Sequence, residues 1–178
     1  MLDRVCGHYA LASGVIARSL ELQATDVVLD VGGGTGGVSA RLRDQVRTVL
    51  VIEPSEPLTR RGRDRHPGIG FTVGDGRRLP IRDASVDRIL LIEVLHHVED
   101  ADSLLDEALR VLRPGGSILV EESEFHGPLG RVRLWLERAL LKGVWPRSRP
   151  ELLGRLSARG LRGEALEHEG FVIVARRA

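Results

Sequence analysis

Between Val27 and Gly37 the chain reads VVLDVGGGTGG, an apolar run carrying one carboxylate, Asp30, followed by glycines at 32, 33, 34, 36 and 37. Such a run turning at glycines reads as a buried parallel strand entering a helix. Glycine suits a turn that needs positive φ and a backbone that must approach a ligand with its amides. The spacing Gly32-x-Gly34-x-x-Gly37 satisfies the dinucleotide fingerprint, so a nicotinamide or flavin enzyme is the first reading. Asp30 argues for another ligand. It is expected to point into the mouth of the loop, where its charge repels a pyrophosphate and pairs with the amino group of a cationic ligand such as S-adenosylmethionine.

Further candidate groups follow at the ends of later apolar runs. Glu53 closes TVLVI, 19 residues beyond Gly34, the placement a ribose-binding carboxylate requires in either adenosine cofactor. Pro54 and Ser55 open the next helix. Asp75-Gly76 follow GFTVG, where a carboxylate can accept from an adenine amino group, although Asp-Gly is also a common turn pair. Glu93 to His97 follow VDRILLI and are expected to border the reaction site. Adjacent histidines diverge in direction and lack an H-E-x-x-H companion, so no metal is expected. His96 or His97 as a general base is the functional reading, and a histidine bonded to backbone the bland one.

The elements that must carry these groups are legible in order. Residues 5 to 22 show the period of an amphipathic leading helix with Val5, Tyr9, Ala12, Ile16 and Leu20 on one face. Short helices are expected over Ser39 to Asp44 and after Pro54, and strands over 27–31, 48–52, 70–74, 86–92 and 117–120. Ala101 to Arg113 is an amphipathic helix stopped by Pro114-Gly115-Gly116. Pro128 opens a helix reaching Leu141, and Pro150 another reaching Ala158. Arg162 to His168 and Phe171 to Arg176 read as a hairpin turning at Glu169-Gly170. Glu121, Glu122, Glu124 and His126 cluster at the exit of the fifth strand, a set able to supply a base or anchor a cationic substrate.

Asp30, Gly32, Gly34 and Gly36 together resemble the acidic-x-Gly-x-Gly-x-Gly pattern of class I methyltransferases. Leu79-Pro80-Ile81-Arg82-Asp83-Ala84-Ser85-Val86-Asp87 is similar to the LP-x-x-D-x-S-x-D run of their type 11 branch, which includes ubiquinone and menaquinone biosynthesis methyltransferases. ALRVLRPGGSILV resembles the turn and fifth strand of the same family. The resemblance implies an α/β, Rossmann-like, doubly wound sheet of seven strands, six parallel and the last antiparallel, with helices on both faces. It implies S-adenosylmethionine as cofactor, S-adenosylhomocysteine as product and a small-molecule methyl acceptor, with O- or C-methylation favoured. It places the methionine portion on Asp30 and Gly32, Gly33, Gly34 and Gly36, the ribose on Glu53 with Pro54 beside it, and the adenine on Asp75-Gly76. Tyr9 is expected to reach the cofactor carboxylate, and Glu93 to His97 to face the methyl group.

Length and composition agree with one domain. The chain has 178 residues, 42% hydrophobic and 29% charged, with one cysteine, Cys6. An intramolecular disulfide is excluded. With no signal-like leader and no bilayer-length apolar run, a cytoplasmic protein is expected. Residues 1–26 read as the leading helix, 27–122 as the cofactor-binding core and 123–178 as a helical cover with the terminal hairpin. Residues 1–130 hold 15 Lys/Arg against 20 Asp/Glu, whereas 131–162 hold 9 against 2. With Trp135 and Trp145, that basic stretch suits an apolar or anionic acceptor, or peripheral membrane contact. An RNA substrate would also suit it, but no RNA-binding module and no N/D-P-P-Y/F motif accompany it. A non-catalytic S-adenosylmethionine-binding protein would show the same binding residues. The short leader leaves little material for a lid, so the site is expected to be open or completed by a second subunit in a homodimer.

Overall fold

The computed structural model describes residues 13–123, 130, 132, 134–135, 143–168 and 170–178. Seven strands form one sheet: β1 (Val27–Val31), β2 (Thr48–Glu53), β3 (Gly70–Val73), β4 (Val86–Ile92), β5 (Leu112–Glu122), β6 (Leu161–His168) and β7 (Gly170–Arg177). Their order is β3-β2-β1-β4-β5-β7-β6. The pairs β1–β2, β1–β4, β2–β3 and β4–β5 are parallel, whereas β7 runs antiparallel to both β5 and β6. Six strands therefore share one direction and β7 opposes them, as the resemblance implies.

Among the fully described elements, the α-helices α1 (Ser13–Ser19), α2 (Glu56–Arg65), α3 (Ala101–Val111) and α4 (Arg149–Ala158) cover the sheet. Alternate residues of each strand feed two cores, because side chains alternate across a sheet. Leu29, Ile89, Ile118 and Ile173 pack with Leu104, Leu105 and Ala108 of α3 and Leu152 and Leu156 of α4. Val28, Leu90, Leu119 and Val174 pack on the other face with Ile16 of α1 and Leu20. Helix ends are set locally. The Asp100 side chain accepts from the Ser103 amide at α3, and Ser148 with Glu151 forms a capping box at α4.

Two expected boundaries move. Ser39 to Asp44 is two 3₁₀ turns, Ser39–Arg41 and Arg43–Gln45, instead of one α-helix. Strand β5 begins at Leu112, inside the stretch read as helix, and takes in the expected turn: Val86 pairs with Leu112 and Arg88 with Ser117, so Arg113 to Gly116 bulge from the ladder with Gly115 at φ +77°.

The LP-x-x-D-x-S-x-D run proves to be a clamp. Arg110 of α3 donates to the carbonyls of Leu79 and Ile81 and to the Asp83 carboxylate at 2.5 Å, while Glu107 accepts from the Leu79 amide at 2.8 Å. Asp87 accepts from the Val27 amide and from Arg113, both at 2.8 Å, tying the starts of β1 and β5 to β4. Removing the carboxylate strands a partly buried amide at the head of the central strand. Asp87→Ala is accordingly expected to lower unfolding stability by about 1–3 kcal/mol in urea titration.

Candidate functional site

In a parallel sheet every βα turn leaves from the same edge, and ligands bind where neighbouring connections leave in opposite senses. Here β1 connects outward to β2 and β3, while β4 and β5 lie on its other side. Asp30 to Gly36, Glu53, Asp75-Gly76, Glu93 and His96-His97 all fall at this carboxyl edge. Gly32 marks how closely the first loop meets the β4 exit, since an added Cβ would lie 2.5 Å from Val94 Cγ2.

Glu53 meets the glycine loop directly. Its Oε2 accepts from the Gly34 amide at 3.1 Å and its Oε1 from the Ser55 amide at 2.9 Å, with Pro54 exposed between. A carboxylate oxygen has two lone pairs, so each retains acceptor capacity for a hydroxyl. Gly34 has φ +58°, and the space where a Cβ would project is empty to 4 Å. This is an open cradle beside a fixed carboxylate.

Asp30 departs from its expected orientation. It is 2% exposed, and its Oδ2 accepts from the buried Ser39 hydroxyl at 2.5 Å. The carboxylate turns back under the loop, where a Cβ on Gly33 would lie 2.4 Å from it. The physical reason is that Ser39 satisfies it there, out of water. Burial, opposed by the Ser39 hydrogen bond and supplemented by the nearby Glu53 charge, raises its pKa to about 6. Ser39 carried no signal in the sequence, since a serine after a glycine loop reads as a helix start.

Asp75 is exposed and already engaged. Arg77 donates to it from Nη2 at 2.6 Å, from Nε at 3.1 Å and from its amide at 2.9 Å, and this hydrogen bonding lowers its pKa. An adenine amino group would share or displace that guanidinium. Gly76 packs tightly, a Cβ there falling 2.8 Å from Val31 Cγ1.

At the β4 exit Glu93 is left-handed, φ +53°, a conformation that costs a non-glycine residue roughly 1–3 kcal/mol. Its amide donates to the Glu121 carbonyl at 2.8 Å, and its Oε1 accepts from the Ser123 hydroxyl. His96 and His97 occupy the 3₁₀ turn Leu95–His97; His96 is 1% exposed and His97 exposed, with ring centroids 4.0 Å apart. Glu122, from the acidic cluster, reaches His96. Residues 143–148 dock here too: the Trp145 amide donates to the His96 carbonyl at 2.8 Å, and Arg147 donates to Glu99 at 2.9 Å. Tyr9, Glu124 and His126 lie outside the described residues. Among the described residues no three His, Cys, Asp or Glu side chains group as metal ligands, and no helix is long and apolar enough to cross a membrane.

Residues 29–120 match the family model of the type 11 methyltransferase domain. The chain belongs to this family. It is 34% identical over 134 residues to the demethylmenaquinone methyltransferase of Beutenbergia cavernae, covering 68% of this chain and 56% of that protein. It is 43% identical over 96 residues to the ubiquinone/menaquinone biosynthesis C-methyltransferase UbiE of Acidiphilium cryptum, covering 50% and 39%. The chain spans about half the length of the curated relatives it matches. Among solved structures, the YcgJ protein of Bacillus subtilis superposes with a TM-score of 0.77 at 22% identity, covering 87% of this chain and 70% of that one. The seven-stranded class I methyltransferase fold is thus common to the chain and its neighbours.

The folded state holds a proton on Asp30 more tightly than the unfolded chain does. Its contribution therefore favours folding at low pH and is lost as pH rises from the unfolded value of 3.8 through about 6. Relative to Asp30→Asn, which keeps an acceptor for Ser39, the native protein is expected to lose up to about 3 kcal/mol of stability between pH 4 and pH 7. Urea unfolding of both proteins across that range checks the sign and the window.

Proposed function

We propose that this methyltransferase-family chain binds S-adenosylmethionine along the carboxyl edge of β1 to β4 and transfers its methyl group to a small-molecule acceptor. The observation carrying this reading is the Glu53–Gly34 pair: a fixed carboxylate with spare lone pairs beside a glycine whose ligand side is open. The fit is chemical as well as steric. Glu53 would take the two ribose hydroxyls, Asp75-Gly76 the adenine edge, and the backbone of Gly32 to Gly36 the methionine portion. Asp30, lodged beneath that loop, contributes its shape and, when ionised, a negative potential suited to an ammonium group.

Bound S-adenosylmethionine supplies an already electrophilic methyl group. The chain's own residues bind, orient the acceptor and exclude water. The relatives named above act, by their names, on demethylmenaquinone or in ubiquinone and menaquinone biosynthesis. The proposed acceptor is accordingly an electron-rich reduced quinone ring. Val132, 56% exposed, and Trp135, 68% exposed, suit such an apolar acceptor met at a membrane surface by a cytoplasmic enzyme. A second subunit of a homodimer would complete the site.

Calorimetric titration of cofactor-stripped protein with S-adenosylmethionine, S-adenosylhomocysteine and NAD in parallel tests the cofactor. Saturable binding of the two sulfur nucleosides without NAD is expected, and NAD binding alone overturns the reading. Glu53→Ala is expected to weaken S-adenosylhomocysteine binding ten- to a hundredfold, about 1.5–3 kcal/mol for a charge-assisted pair. Transfer of labelled methyl to a reduced short-chain demethylmenaquinone then tests the acceptor.

A further inference from the structure

Away from the glycine cradle, a set of buried titratable side chains meets where β4 and β5 end. Glu122 Oε1 accepts from the amides of Val94 at 3.1 Å and Leu95 at 2.6 Å, and its Oε2 lies 2.5 Å from His96 Nδ1. On the other side of the ring, His96 Nε2 is 3.9 Å from Glu93 Oε2, while Glu93 Oε1 is held by Ser123. The side chains of Glu122 and His96 are 1% and 2% exposed, and that of Glu93 is 10% exposed. The imidazole thus stands between two carboxylates, of which Glu93 is the less buried.

Glu122 already accepts from two amides through Oε1, and the 2.5 Å contact of its Oε2 with the ring suits the same acceptor role toward an Nδ1–H. We propose that Glu122 is a positioning residue that fixes His96 in its Nδ1–H tautomer, so that Nε2, with Glu93 beside it, receives the proton lost by the methyl acceptor. This rests on the methyl-transfer reading above. As the acceptor's oxygen or carbon bonds to the methyl carbon, the sulfur–methyl bond breaks with its electron pair remaining on sulfur. The acceptor's proton passes to Nε2, and the products are a neutral methylated molecule, a thioether and an imidazolium. That cation forms between Glu122 and Glu93 in a water-poor setting, where both attractions are strengthened. Among the described residues, the other titratable groups at this corner are His97, stacked obliquely at 4.0 Å, and Glu121, the preceding residue of β5.

Glu122→Gln provides the decisive variant. Its amide oxygen can still accept from Val94 and Leu95, but its amide nitrogen donates to Nδ1 and so forces the opposite tautomer. Nitrogen-15 NMR of the ring is expected to show Nε2 as the unprotonated nitrogen in the native protein and Nδ1 in the variant. For the reduced short-chain demethylmenaquinone, kcat is expected to fall on the order of a hundredfold, with KM and S-adenosylhomocysteine affinity within about twofold. A native Nε2–H tautomer overturns the inference without using any variant, as does an inverted tautomer with unchanged kcat. Failure of the native protein to bind either sulfur nucleoside would instead overturn the methyl-transfer reading, leaving the tautomer measurement as a separate result.

Discussion

The central strand β1 is hydrogen-bonded to β2 on one side and to β4 on the other, all three parallel, and the rest of the molecule answers to that arrangement. Parallel pairing sends every connection off the same edge, and the reversal of strand order at β1 keeps the loops after β1 and β4 from covering each other. The glycine loop fills the resulting crevice. It can settle there only because Asp30 and Ser39 satisfy one another beneath it and because Val94 closes over Gly32. Had β1 stood at an edge, the Glu53 carboxylate and the β4 exit could not both flank the loop.

That dependence explains which features could be read from the chain alone. The strand runs, the open glycines and the 19-residue step to Glu53 follow from local periodicity and the length of one βαβ unit, so they survive into three dimensions. The hairpin followed from two alternating runs around one turn and closes in register from Leu161 opposite Arg177 to His168 opposite Gly170. Side-chain direction was less legible. Asp30 carries the spacing of a ligand-facing carboxylate, yet a hydroxyl nine residues on draws it inward; Asp75 carries the spacing of an adenine contact, yet Arg77 two residues on grips it. Glu122 was visible as part of an acidic run, but its 26-residue reach to His96 depends on the β4–β5 register, which no local pattern encodes.

The basic stretch after residue 130 changes meaning in the same way. As sequence it suggests a surface for an anionic partner. In the fold, Arg155 and Arg159 pair with Asp102 of α3, Arg159 also with Asp106 at 2.6 Å, and Arg147 donates to the Val98 and Glu99 carbonyls. These partly exposed pairs contribute modest energy each. Their collective effect is positional, fastening α4 and the segment before it onto α3 and the His96 turn. Much of the described part of that charge therefore meets the protein itself, and Arg147, Arg155 and Arg159 do not speak for an RNA substrate.

Glu122 shows how such fastening and chemistry become inseparable. Burying a carboxylate costs several kcal/mol unless its oxygens are met by donors, and here the donors are the two amides of the turn that carries His96 and the imidazole itself. The group that stops this turn from fraying thereby also dictates which ring nitrogen carries the proton. A neutral, apolar replacement would leave two buried amides and a ring nitrogen without partners, so the fold has a reason to keep an acceptor at this position whatever the reaction. An amide there would satisfy the same two backbone donors but would reverse the tautomer and bring no charge to the ring. The left-handed backbone at Glu93 fits the same logic, since it departs from strand geometry at the residue whose carboxylate faces the other side of the ring.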